Sequence, residues 1–190
     1  MSGCSLLILV ILSNILVTGS FLPIINVLVA LFHEMGHLLA MYVSGIPLNG
    51  VRFVGFGFRI RQKNIFSYRQ NIFVAIAGPV YNILFGGILI FLSFWYEGKI
   101  LSMLILSNFL YAFLNLLPIP PLDGYNILHE LLFSMVDYRC ARTAEKSIQV
   151  VFGALLVLCL VLVFALKIFN ISLICVLLLL LLSLVMSFLS

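Results

Sequence analysis

His33, Glu34 and His37 stand in the pattern H-E-x-x-H, inside an apolar stretch that runs from Phe21 to Tyr42. On a helix, residues four apart share a face, so both imidazoles can point at one ion. Glu34 sits roughly 100° further round, near enough to act as a base on water at that ion without ligating it. In a soluble chain this string indicates an ordinary zinc peptidase. In a membrane span it indicates hydrolysis inside the bilayer, where ionisable side chains are costly and functional by default.

A second constellation supplies a third ligand. Asn115-Leu-Leu-Pro118-Ile-Pro120-Pro121-Leu-Asp123-Gly124 places three prolines in four residues, which no regular helix continues through. Backbone opened at membrane depth must line a polar or protein-covered cavity. Asp123 then enters that cavity as a carboxylate, and its plain alternative is a helix N-cap after the prolines. Two histidines and one carboxylate suit zinc with a fourth position left open for water. The two motifs agree in depth: Arg52 follows His37 by 15 residues and Arg139 follows Asp123 by 16. His129-Glu130 looks like a second start, but residue 133 is Phe, so no metal pair forms and His129 reads as an ordinary interfacial histidine.

A third motif is Ala77-Gly78-Pro79-Val80-Tyr81-Asn82, followed by Gly86. Gly78, Asn82 and Gly86 recur every four residues and give one small or polar helix face. Close helix packing glued by an amide is the plain reading. A place for Asn82 beside a bound substrate is the sharper one.

These elements must be held by a membrane fold. Of 190 residues, 64% are hydrophobic and 8% charged, far below the quarter or so that soluble domains carry, so the chain is an integral membrane protein. Apolar segments fall at about 4–18, 21–43, 71–95, 100–118 continuing to 134, 148–168 and 170–189. That predicts an all-α polytopic protein with about six transmembrane helices, since alternating barrel patterns are mostly missing. The first segment resembles a signal peptide but lacks a basic start, and is read as a retained span. Cys4, Cys140, Cys159 and Cys175 show no C-x-x-C pairing, and three lie in or beside apolar spans, which favours lipid- or core-facing thiols.

Residues 50–61 break the helical pattern with glycines, aromatics and branched residues, and predict a short membrane-associated β hairpin after the second span. Val54, Gly55 and Phe56 lie at its centre as candidate substrate contacts. The net charge of +4 comes from arginines and lysines flanking apolar spans. It reads as topology, not nucleic-acid binding. Arg52, Arg59, Arg61, Lys63 and Arg69 follow the second span, and Arg139, Arg142 and Lys146 fill a loop before the fifth. The positive-inside rule puts these loops and both termini in the cytoplasm.

Together, H-E-M-G-H in the second span, A-G-P-x-x-N in the third and N-x-x-P-x-x-P-L-D-G in the fourth resemble the site-2 protease family of intramembrane metalloproteases. The likeness covers about Phe21 to Glu130. It implies one zinc per chain held by His33, His37 and Asp123, Glu34 as catalytic base, and Asn115 as a holder of substrate or developing oxyanion. Many relatives read D-G-G where this chain has Asp123-Gly124-Tyr125. The compact build, without PDZ or CBS domain, resembles minimal and sporulation-type members. It implies one domain over 1–190, with a core at 21–134 and a helical hairpin at 148–189.

The function expected is an intramembrane zinc endopeptidase in a bacterial cell membrane. It would cut membrane-spanning or membrane-associated proteins to release a cytoplasmic regulator, under the control of other membrane proteins. The rival is a metal transporter or channel lined by Glu34 and Asp123. Against it stand the peptidase spacing of the ligands and the lack of an inverted repeat.

Overall fold

The computed structural model describes residues 22–46, 51–53, 58–60, 67–167 and 171–189. Among them are six helices and one small sheet. In chain order these are α1 (Leu22–Val43), β1 (Val51–Phe53), β2 (Phe58–Ile60), α2 (Tyr68–Ser93), α3 (Lys99–Asn115), α4 (Asp123–Met135), α5 (Tyr138–Ala165) and α6 (Ile171–Leu189). β1 and β2 pair antiparallel, with Val51 opposite Ile60 and Phe53 opposite Phe58. The apolar segment at 4–18 lies outside the described residues. Contacts divide the chain into two compact units, Met1–Asn115 and Leu116–Ser190.

Among the described residues, three helical stretches are long and apolar enough to cross a membrane: Pro23–Val43, Tyr68–Ser93 and Tyr138–Ala165. Lys99–Asn115 and Leu173–Phe188 are apolar but shorter. Large hydrophobic side chains such as Leu31, Leu84, Phe91 and Val161 are more than half exposed, as lipid-facing residues are.

In the first unit α1, α2 and α3 pack through small residues. A Cβ on Gly36 would stand 2.7 Å from the Ala77 carbonyl oxygen and from Tyr81 Cβ, so α1 and α2 approach backbone to backbone. Phe32 stacks on Phe85 beside this contact, with ring centroids 4.2 Å apart. A Cβ on Gly86 would meet the Phe109 ring of α3 at 2.9 Å. Helix α1 stops at Gly45, whose φ of +68° only glycine adopts freely. The Gly45 amide donates to the Tyr42 carbonyl and the Ile46 amide to that of Met41, the paired bonds of a Schellman cap. Ile46 is buried behind that cap. Gln70, in the first turn of α2, accepts from the Ser67 amide and donates to the Ser44 carbonyl, tying the start of α2 to the end of α1.

In the second unit the proline segment folds onto α5 and α6. Ile119, Leu156 and Leu184 form its core, with Leu117, Leu122 and Phe152 packed against them. Gly124 is required by close approach, because a Cβ there would collide with the Leu116 carbonyl. Behind this core lies a buried polar knot. Glu145 of α5 is fully buried and accepts from His129 Nδ1 at 2.9 Å and from Arg142 Nη1 at 3.1 Å. Tyr125 bonds to Glu145 and to Ser187, and Gln149 Nε2 donates to Ser187 Oγ. The knot joins α4, α5 and α6. Breaking such a buried pair by removing one partner costs about 3–5 kcal/mol, since a charge is left uncompensated.

Two expectations are corrected here. The stretch holding Arg139, Arg142 and Lys146 is not a loop: α5 begins at Tyr138 and runs unbroken to Ala165. Its first turns stay helical because Arg142 and Glu145 pair three residues apart, while Glu145 reaches across to α4. His129 is correspondingly no ordinary interfacial residue but the partner of a buried carboxylate. The apolar segment from 100 to 134 is two helices, separated, as the proline run led one to expect, where the prolines withdraw backbone donors.

Candidate active site

The site begins on α1. His33 and His37 are 2% and 8% exposed, and Glu34 between them is half-buried. The His37 Nδ1–H donates to the Val74 carbonyl of α2 at 2.7 Å. That bond fixes the tautomer and leaves Nε2 with its lone pair. His37 Nε2 in turn faces His33 Nε2 at 3.1 Å. Two imidazole nitrogens bound tetrahedrally to one zinc, each at 2.0–2.1 Å, stand about 3.3 Å apart. The pair is therefore spaced for a single small ion, and the donor set is the borderline-soft nitrogen that zinc prefers.

Helix α2 closes the back of the pair. A Cβ on Gly78 would collide with His37 Nε2 and would come within 2.8 Å of His33 Cε1, so only glycine leaves room for both rings. Asn82, one turn on, is fully buried, with Nδ2 3.5 Å from His33 Nδ1. The Tyr111 ring of α3 meets the His33 ring edge-on at a centroid distance of 5.1 Å.

The other residues singled out by sequence are placed as follows. Asn115 ends α3 and is half-buried, and its Nδ2 donates to the Tyr111 carbonyl of its own helix at 2.9 Å. Asp123 is the first residue of α4, half-buried, in the second unit. Val54, Gly55 and Phe56 lie outside the described residues. Sequence reasoning missed the Val74 carbonyl and the Gly78 contact. The four-residue spacing of Gly78, Asn82 and Gly86 was the signal that could have found the second.

A buried imidazole pair with a carboxylate one residue along, on a helix fit to span a bilayer, defines a membrane metallopeptidase. The comparisons agree. Residues 4–120 match the family described as Peptidase M50B-like, and residues 97–160 match Peptidase family M50. The chain belongs to this family, that of the site-2 proteases, which are membrane-embedded zinc metalloproteases. Its fold is similar to that of the Site-2 Protease from Methanocaldococcus jannaschii, with a TM-score of 0.71 at 22% identity over 98% of this chain and 88% of that one. No curated protein matches.

Proposed function

We propose that this chain is an intramembrane zinc endopeptidase. It would cleave membrane-spanning or membrane-associated proteins and release a cytoplasmic regulator, with other membrane proteins setting its activity. The observation that carries this reading is the 3.1 Å convergence of the His33 and His37 Nε2 atoms beside Glu34. Asp123 would complete the ligand set for one zinc per chain, making both units parts of one protease domain. A zinc ion held there lowers the pKa of water toward ~7 and polarises the scissile carbonyl. Glu34 takes the proton from the attacking water and hands it to the leaving amine. Asn115 donates to the carbonyl oxygen as negative charge develops on it, after turning from Tyr111. The fold would cross a bacterial cell membrane about six times, with the basic segments and both termini cytoplasmic.

A transmembrane substrate must unwind before its backbone can be attacked, and its freed polar groups then need partners. The segment from Val51 to Ile60, which holds the strand pair β1–β2 and, between the two in sequence, Val54, Gly55 and Phe56, is proposed to supply them by edge pairing. Gly55→Pro removes a backbone donor there and should cut cleavage severely while zinc stays bound. Cleavage of a membrane substrate at the wild-type rate would reduce this segment to a connector.

The test of function as a whole is metal removal in proteoliposomes that hold the protein and a single-span substrate. Cleavage should stop on chelation and return with about one equivalent of zinc per chain. Zinc entry into the vesicles without any cleaved product would instead establish the transporter reading.

A further inference from the structure

Resting on the zinc reading above, we propose that Asn82 is a positioning residue that fixes the tautomer of His33 by accepting its Nδ1–H through Oδ1. His37 already presents a lone pair at Nε2, because its Nδ1–H is held by Val74. For His33 to offer the matching lone pair, its own proton must sit on Nδ1. That N–H is buried and needs an acceptor. Asn82 is a fully buried polar group beside it, at 3.5 Å, and among the described residues Asn82 Oδ1 has no hydrogen-bond partner.

A side-chain amide has two orientations of nearly the same shape, with opposite consequences here. With Nδ2 toward His33, the amide donates, Nδ1 accepts, and the proton is driven to His33 Nε2. The two histidines then share a hydrogen bond, and His33 Nε2 has no lone pair left for a metal. With Oδ1 toward His33, Nδ1 donates, and both Nε2 lone pairs converge. This second orientation turns the amide N–H group into the position that Oδ1 leaves, a cost offset by ligation. Asn82 thus links two states: a His33–His37 hydrogen bond without metal and two converging Nε2 lone pairs with it. Gly78 and Asn82, one turn apart on α2, would serve one purpose, the first by leaving space and the second by orienting a ring.

The experiment compares wild type, Asn82→Asp and Asn82→Leu in detergent. Zinc dissociation constants come from chelator competition, the cobalt-substituted forms give visible spectra, and thermal unfolding is followed in each. As a carboxylate, Asp can only accept, so Asn82→Asp should bind zinc at least as tightly as wild type and keep its cobalt spectrum. Asn82→Leu can neither accept nor donate, and should bind zinc about 10–100-fold more weakly, as loss of a partner behind a metal-bound histidine does. Equal affinity in wild type and Asn82→Leu overturns the proposal. So does an Asn82→Asp as weak as Asn82→Leu, which would mean that the amide donates. If Asn82→Leu fails to fold, Asn82→Asp against wild type decides alone. Wild type that binds no zinc would defeat the metal reading itself, a separate result.

Discussion

Glu34→Gln should lower cleavage of a membrane substrate by ~10²–10⁴-fold, the usual worth of a general base. That loss corresponds to about 3–5 kcal/mol of transition-state stabilisation. The substitution keeps the size of the side chain and leaves both histidines in place, so zinc content should stay at the wild-type level. Glutamine cannot take up the proton that the attacking water must lose. The measurement pairs turnover in proteoliposomes with elemental analysis of the same sample. Near-normal turnover with zinc retained would place the base elsewhere. Lost turnover with lost zinc would show that Glu34 supports the ligands and is not the proton acceptor.

The second large effect lies in the space behind the histidines. Gly78→Ala should lower zinc affinity by about tenfold or more, and cleavage with it, because its methyl group occupies the position of the His37 ring edge. His37 cannot simply swing aside, since its Nδ1–H is tied to Val74. Gly87→Ala is the control on the same helix. Among the described residues nothing lies within 4 Å of a Cβ there, so alanine should be neutral or stabilise α2 by about 0.5–1 kcal/mol. His33→Ala combined with His37→Ala should remove zinc altogether, and Asp123→Ala should weaken its binding. Full zinc occupancy in the double histidine variant would sink the assignment of the site. Equal zinc affinity in Gly78→Ala and Gly87→Ala would mean that the rings yield at no cost.

The sequence by itself determined what depends on local geometry. Helix periodicity puts His33, His37 and Glu34 on adjoining faces whatever surrounds them, so the candidate ligand pair and the proposed base can be picked out from five consecutive residues. The prolines from Pro118 to Pro121 ended a helix because they lack backbone donors, and Gly, Phe and Val around residue 55 forecast the strands β1 and β2. Membrane residence followed from the scarcity of charge. The tertiary structure decided what depends on packing between distant segments. The tautomer of His37 is set by a carbonyl 37 residues away, and the need for glycine at position 78 by rings on another helix. Glu145 reads in sequence as one more charge in a basic loop. Its full burial comes from His129 on α4 and Arg142 on α5, which together draw the loop into a helix. Asn82 reads as packing glue until His33 stands beside it. Such contacts carry no period along the chain, and only the packed helices bring their partners together.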